Sequence, residues 1–147
     1  MLPDLNQLLE YQNPAVLKLY EQNYPNNKLS AHDAFQEVLK YLWLSRKHGF
    51  DLQELNNTDY VPQELFMPRS MSEIDEMWHE FILFTESYMY FCSHYFGQYM
   101  HHLPNIFDNR PLPRDVVEQE IEKMLPYIYD NLGEDTVRVW FSLYLDE

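Results

Sequence analysis

The chain has 147 residues, 46% apolar and 16% aromatic, enough for one real core and far from a disordered composition. Its 24 acids against 10 bases give a formal net charge of −14, which repels phosphate backbones and anionic lipid surfaces and argues against nucleic-acid and membrane partners. The single cysteine, Cys92, excludes an intrachain disulfide, and a cytoplasmic location is the plain expectation.

The N-terminus, MLPDLNQLLEYQ, lacks the basic start and apolar run of a signal peptide. A short first helix is expected over 4–12, with Asp4 as its cap. Asn13-Pro14 reads as cap and first helical position of PAVLKLYEQN. After the loop YPNNKLS, Ser30 caps a long helix, with Asp33 three residues on. Phe35, Val38, Leu39, Leu42 and Trp43 follow the 3.6-residue period, and Gly49 is expected to end the helix. Residues 50–71 hold two prolines and little periodicity, as befits a long connection that is either functional or wrapped on the core.

Ser72 reads as the cap of a central helix over 73–96. Ile74, Met77, Trp78, Phe81, Thr85, Tyr88, Cys92 and Tyr95 lie on one stripe, and Gly97 stops it. A proline-rich loop follows. Asp115 is expected to cap VVEQEIEKMLPYIYDNLG, which Pro126 should kink or interrupt. The segment 136–145 fits helix or strand; with no second strand evident, helix is expected. The fold class is therefore all-α, a single compact domain (1–147) of five or six helices around the long central one.

The stretch DEMWHEFILFTESYMYFCSHYFGQYMHHLP, residues 75–104, concentrates the chemistry. His79 and Cys92 stand 13 residues apart, roughly 20 Å along an unbroken helix, so they cannot share an ion with ligands at about 2.0–2.3 Å. Nothing in EFILFTESYMYF reads as a breaker. The helix runs roughly 25 Å past His79, while Gly97–His101 can span at most about 18 Å, so a return of His101 or His102 to His79 is not expected. Asp75 and His79, at i and i+4, can face one metal such as zinc, but two ligands are too few, and His32 or Asp33 is the expected third donor. The alternative is that Asp75 merely orients His79 by a hydrogen bond. Cys92, His94, His101 and His102 match no zinc spacing, and Cys92 reads as a small buried apolar residue. H-E-x-x-H is absent, because position 83 is Leu. No catalytic residue is assigned.

Tyr88, Tyr90, Phe91, Tyr95, Phe96 and Tyr99, with Met89 and Met100, exceed what one stripe can bury. Tyr90, Tyr95, Tyr99, Met100, His101 and His102 are therefore expected to form an interaction surface.

This block resembles a group of small, uncharacterised bacterial proteins sharing D-x-x-W-H-x-F-I-L-F-T-x-x-Y-x-x-F-C-x-x-x-F-G-x-x-x-H-H-x-P. Asp75, Trp78, His79, Phe81 through Thr85, Tyr88, Phe91, Cys92, Phe96, Gly97, His101, His102 and Pro104 carry the resemblance. D-x-x-W-H is also similar to half of a motif in plant glycine-rich-domain proteins, where W-H-x-H is usual and this chain has Phe81. Neither resemblance implies a known activity, but both tell against an accidental Trp78-His79.

The favoured functional expectation is a non-enzymatic module that binds a protein partner or a second copy of itself, without a cofactor. The alternative is a metal-binding protein or metal-dependent hydrolase using Asp75, His79 and a ligand such as His32. A third expectation, a translocated bacterial effector or its inhibitor, is one the composition permits.

Overall fold

A computed structural model describes residues 1–54, 59–102 and 113–142. Those residues form seven α-helices, where five or six were expected, and no strand, so the class is all-α as the periodicity predicts. Three of the first helices start where their cap residues stand. The Asp4 carboxylate accepts the Gln7 N–H (3.1 Å) at the start of α1 (Leu5–Leu8). Asn13 accepts the Val16 N–H (3.4 Å) and Pro14 takes the first position of α2 (Pro14–Asn23). The Ser30 hydroxyl accepts the Asp33 N–H (3.0 Å) at the start of α3 (Ala31–Glu54).

Contrary to expectation, α3 does not stop at Gly49. An internal glycine costs about 1 kcal/mol relative to alanine, and side chains around the last turns offset it. Lys47 pairs with Asp51 at 2.6 Å. Asp51 also accepts the Tyr127 hydroxyl at 2.6 Å, and the Arg46 guanidinium lies 4.4 Å over the Phe50 ring.

The described part of the long connection wraps on the core. Val61 is buried, His48 pairs with the Pro62 carbonyl (2.5 Å), and the Tyr41 hydroxyl donates to the Leu65 carbonyl (3.4 Å). The connection ends in a 3₁₀ turn, Arg69–Met71, that runs directly into α4 (Ser72–Leu83). Ser72 is thus the first helical residue rather than a cap. The preceding Ser70 hydroxyl bonds the Trp140 carbonyl instead.

The expected rod over 73–96 is broken. α4 ends and α5 (Thr85–Phe96) begins at Phe84, whose backbone (φ −83°, ψ 67°) has the inverse γ-turn geometry. The Phe84 N–H bonds the Phe81 carbonyl (3.1 Å), and the Phe84 carbonyl accepts the Tyr88 N–H (2.8 Å). Ten residues of straight helix would separate Phe81 from Phe91 by roughly 15 Å, yet their ring centroids are 5.1 Å apart. Phe81 also packs on Phe35 (5.1 Å) and Tyr88 (4.9 Å), and Tyr11 on Phe91 (4.7 Å). Burial contributes about 1.5–3 kcal/mol per large side chain, and each aromatic pair about 0.5–1.5 kcal/mol more. Together these exceed the net 0.5–1.5 kcal/mol or so of each helical hydrogen bond given up at the break.

α6 (Arg114–Leu132) continues past Pro126 without interruption. Pro126 is exposed, where solvent can take the carbonyl it leaves unpaired. Asp115 lies in the first turn rather than at the cap, where its charge suits the helix dipole. Gly133 (φ 92°) turns the chain into α7 (Glu134–Trp140). The C-terminal segment is therefore helical to Trp140, and residues 143–147 lie outside the described set.

The buried centre is built on α3, which packs against α4, α2, α1 and α6. Its buried charges are paired: Glu37 accepts Lys40 (3.0 Å) and the Trp140 indole N–H (2.8 Å), and Glu80 accepts the Asn23 amide at 3.2 Å on both oxygens.

Candidate metal centre

The site begins on α4. Both Glu73 carboxylate oxygens accept backbone N–H groups, of Lys28 (3.0 Å) and Leu29 (2.8 Å), which tie the start of α4 to the loop before α3. Ile74, Met77 and Trp78 face the core. That rotation turns Asp75 and His79, at i and i+4, to one flank, where His79 Nε2 stands 3.7 Å from Asp75 Oδ2.

His102 completes the group. α5 ends on Gly97 in the left-handed conformation (φ 70°), and the chain beyond it turns back over α4. The Met100 side chain is buried, and its carbonyl accepts the Tyr88 hydroxyl at 2.5 Å. Two residues on, His102 Nε2 reaches Asp75 Oδ1 at 2.5 Å. The His102 ring lies 4.3 Å from the Trp78 ring and 4.4 Å from the His79 ring. The expectation that His102 cannot return to His79 is thus overturned. Its arithmetic assumed a straight helix, and the break at Phe84 folds α5 back across α4.

The ligand atoms of Asp75, His79 and His102 all lie within 4.8 Å of one another. Donors around a tetrahedral zinc at about 2.0–2.1 Å are about 3.3 Å apart, so an ion requires the His102–Asp75 contact to open from 2.5 Å and the wider-spaced donors to close, by rotation of exposed or half-buried side chains. The side chains are 52% (His79), 34% (Asp75) and 17% (His102) exposed, so the group is closed on the core side and open to solvent beside His79. Burial alone would raise the Asp75 carboxyl. The His102 hydrogen bond, with the charges of His102 and His79, outweighs it and holds the group below its ordinary range, so the carboxylate is available as an anionic donor.

The other predicted residues disperse. His32 is exposed at the start of α3 and does not join the group. Cys92 is fully buried, beside the Tyr88 hydroxyl and the Met100 carbonyl, and burial pushes its thiol up. His94 stacks on Tyr90 (5.9 Å), and His101 packs edge-on to Tyr99 (4.7 Å). Of the expected interaction surface, Tyr90 (71%), Tyr99 and His101 are exposed and Tyr95 is half-buried, while Met100 is buried and His102 is turned to Asp75 and His79. The residue whose place the sequence did not indicate is His102, which lies beside Asp75 and His79. Its one signal was that D-x-x-W-H and H-H-x-P bracket the same block.

No curated protein and no solved structure matches the chain. Residues 60–115, a span that holds Asp75, His79 and His102, match the model of an uncharacterised family described as UCP032817-like.

Proposed function

We propose that this protein binds a divalent transition-metal ion through Asp75, His79 and His102. The observation that carries the reading is the convergence of two imidazoles and a carboxylate, drawn from α4 and from a segment 27 positions away. Two imidazoles and one carboxylate are the donor set of open zinc sites and of non-haem iron sites. The solvent-facing side beside His79 leaves room for water or a substrate oxygen. Bound there, zinc would lower the pKa of a water to about 7 and supply a nucleophile, which makes metal-dependent hydrolysis the chemistry to assay first.

Metal analysis of protein purified without a histidine tag tests the reading. Stoichiometric Zn, Fe, Mn or Ni is expected, or uptake of added zinc with a rise in melting temperature. At a free zinc concentration 100 times Kd the gain is about 2.7 kcal/mol. A protein that neither holds nor takes up any of these ions ends the reading.

A second reading, a docking surface for a protein partner or another copy of the chain, draws on a different observation. Leu83 (66%) and Tyr90 (71%) are exposed large side chains that line one open depression with Tyr11 at the α4–α5 break. Light scattering tests self-association. A dimer abolished by Tyr90→Glu supports the reading, and a monomer at every concentration removes that form of it.

A further inference from the structure

We infer that Tyr88 is the positioning residue for His102, holding the third ligand of the centre in place through the Met100 carbonyl. The inference rests on the metal reading above and adds to it the device that brings the distant donor to the helix.

Two members of the cluster have fixed polarity, and the Cys92 thiol lies beside both the Tyr88 hydroxyl and the Met100 carbonyl. The Trp78 indole N–H can only donate, and it donates to the Tyr88 oxygen at 3.0 Å. The Met100 carbonyl can only accept, so the Tyr88 hydroxyl proton points at it, across 2.5 Å. Tyr88 and Trp78 are buried, as is the Met100 side chain. Buried polar groups of this kind are costly to leave unpaired, so the link is strongly preferred to an open state. Trp78 acts twice: its N–H orients Tyr88, and its ring forms the wall against which the His102 imidazole packs at 4.3 Å. The Tyr99 ring packs edge-on to Tyr88 at 5.3 Å, a second grip on the same segment. The Tyr88 hydroxyl acts on the backbone two residues before a ligand. Outer partners that orient a ligand typically account for 10–100-fold in metal affinity.

Zinc affinity by chelator competition, and the visible spectrum of the cobalt(II) form, are measured for the wild type, Tyr88→Phe, His102→Ala and the double variant. Tyr88→Phe is expected to weaken zinc binding about 10–100-fold and to move the cobalt spectrum towards that of His102→Ala. In the His102→Ala background the same change is expected to have no further effect on affinity. A purely structural role would lower the melting temperature of the metal-free protein but leave the affinity loss equal in both backgrounds, and that result overturns the inference. So does a Tyr88→Phe protein with wild-type affinity and spectrum while His102→Ala is impaired. A wild type that takes up neither zinc nor cobalt overturns the metal reading itself, and is distinguished from the other failures because no variant is needed to see it.

Discussion

The His102 imidazole meets the Asp75 carboxylate at 2.5 Å across 27 positions of sequence, with the Trp78 ring behind it. The group takes two side chains from α4 and one from the returning chain. Its integrity depends on the core that makes the chain return.

Trp78 is the residue where core and site coincide. It is 6% exposed, packs on Tyr41 at 5.5 Å and bonds Tyr88. Trp78→Ala is expected to cost about 3–5 kcal/mol in denaturant unfolding. A cost below about 1 kcal/mol would place the ring outside the anchoring core.

The Asp75 carboxyl sets an acid limit on the metal-free protein. Its folded-state pKa is depressed, so its contribution is fully present above the unfolded carboxylate value of about 3.9 and is lost as pH falls through the folded value. In a chelator, Asp75→Asn should be less stable than wild type at neutral pH, and the difference should shrink as pH falls below the unfolded value of about 3.9 and vanish below the folded one. A difference that persists unchanged at pH 3 would mean that the carboxylate charge contributes nothing.

Cys92 should be inert. It is fully buried and its thiol is raised by burial, the opposite of the exposed, electropositive setting that makes a thiolate reactive. Native protein is expected to resist a thiol reagent over the time in which denatured protein is labelled fully. Labelling at equal rates would show that the α5 core opens readily.

The end of α3 is held by the Asp51 carboxylate, which accepts from both Lys47 and Tyr127 at 2.6 Å. Tyr127→Phe removes a hydrogen bond to a charged group and should cost about 1.5–3 kcal/mol. It should also increase amide exchange around Gly49, where the helix has its weakest intrinsic propensity. Unchanged exchange there would mean that α3 passes Gly49 without this support.

The helical class, the starts of the first three helices and the pairing of Asp75 with His79 were legible in the sequence, because each depends on groups within one or two turns. Asp4, Asn13 and Ser30 bond N–H groups three residues away, and an i, i+4 pair is set by helical pitch alone. The buried fate of Cys92 was legible for the same reason, from its position on the apolar stripe. The break at Phe84 was not, since the residues flanking it suit a helix and the forces that open it come from Tyr11 and Phe35, far away in the chain. The approach of His102 to Asp75 and His79 followed from that break, while His32 stands apart from them. The passage of α3 through Gly49 likewise depended on Tyr127, 76 positions from the aspartate it holds. Local periodicity decides which face a side chain takes. Which distant faces meet is decided only when the burial of whole rings outweighs a few backbone hydrogen bonds.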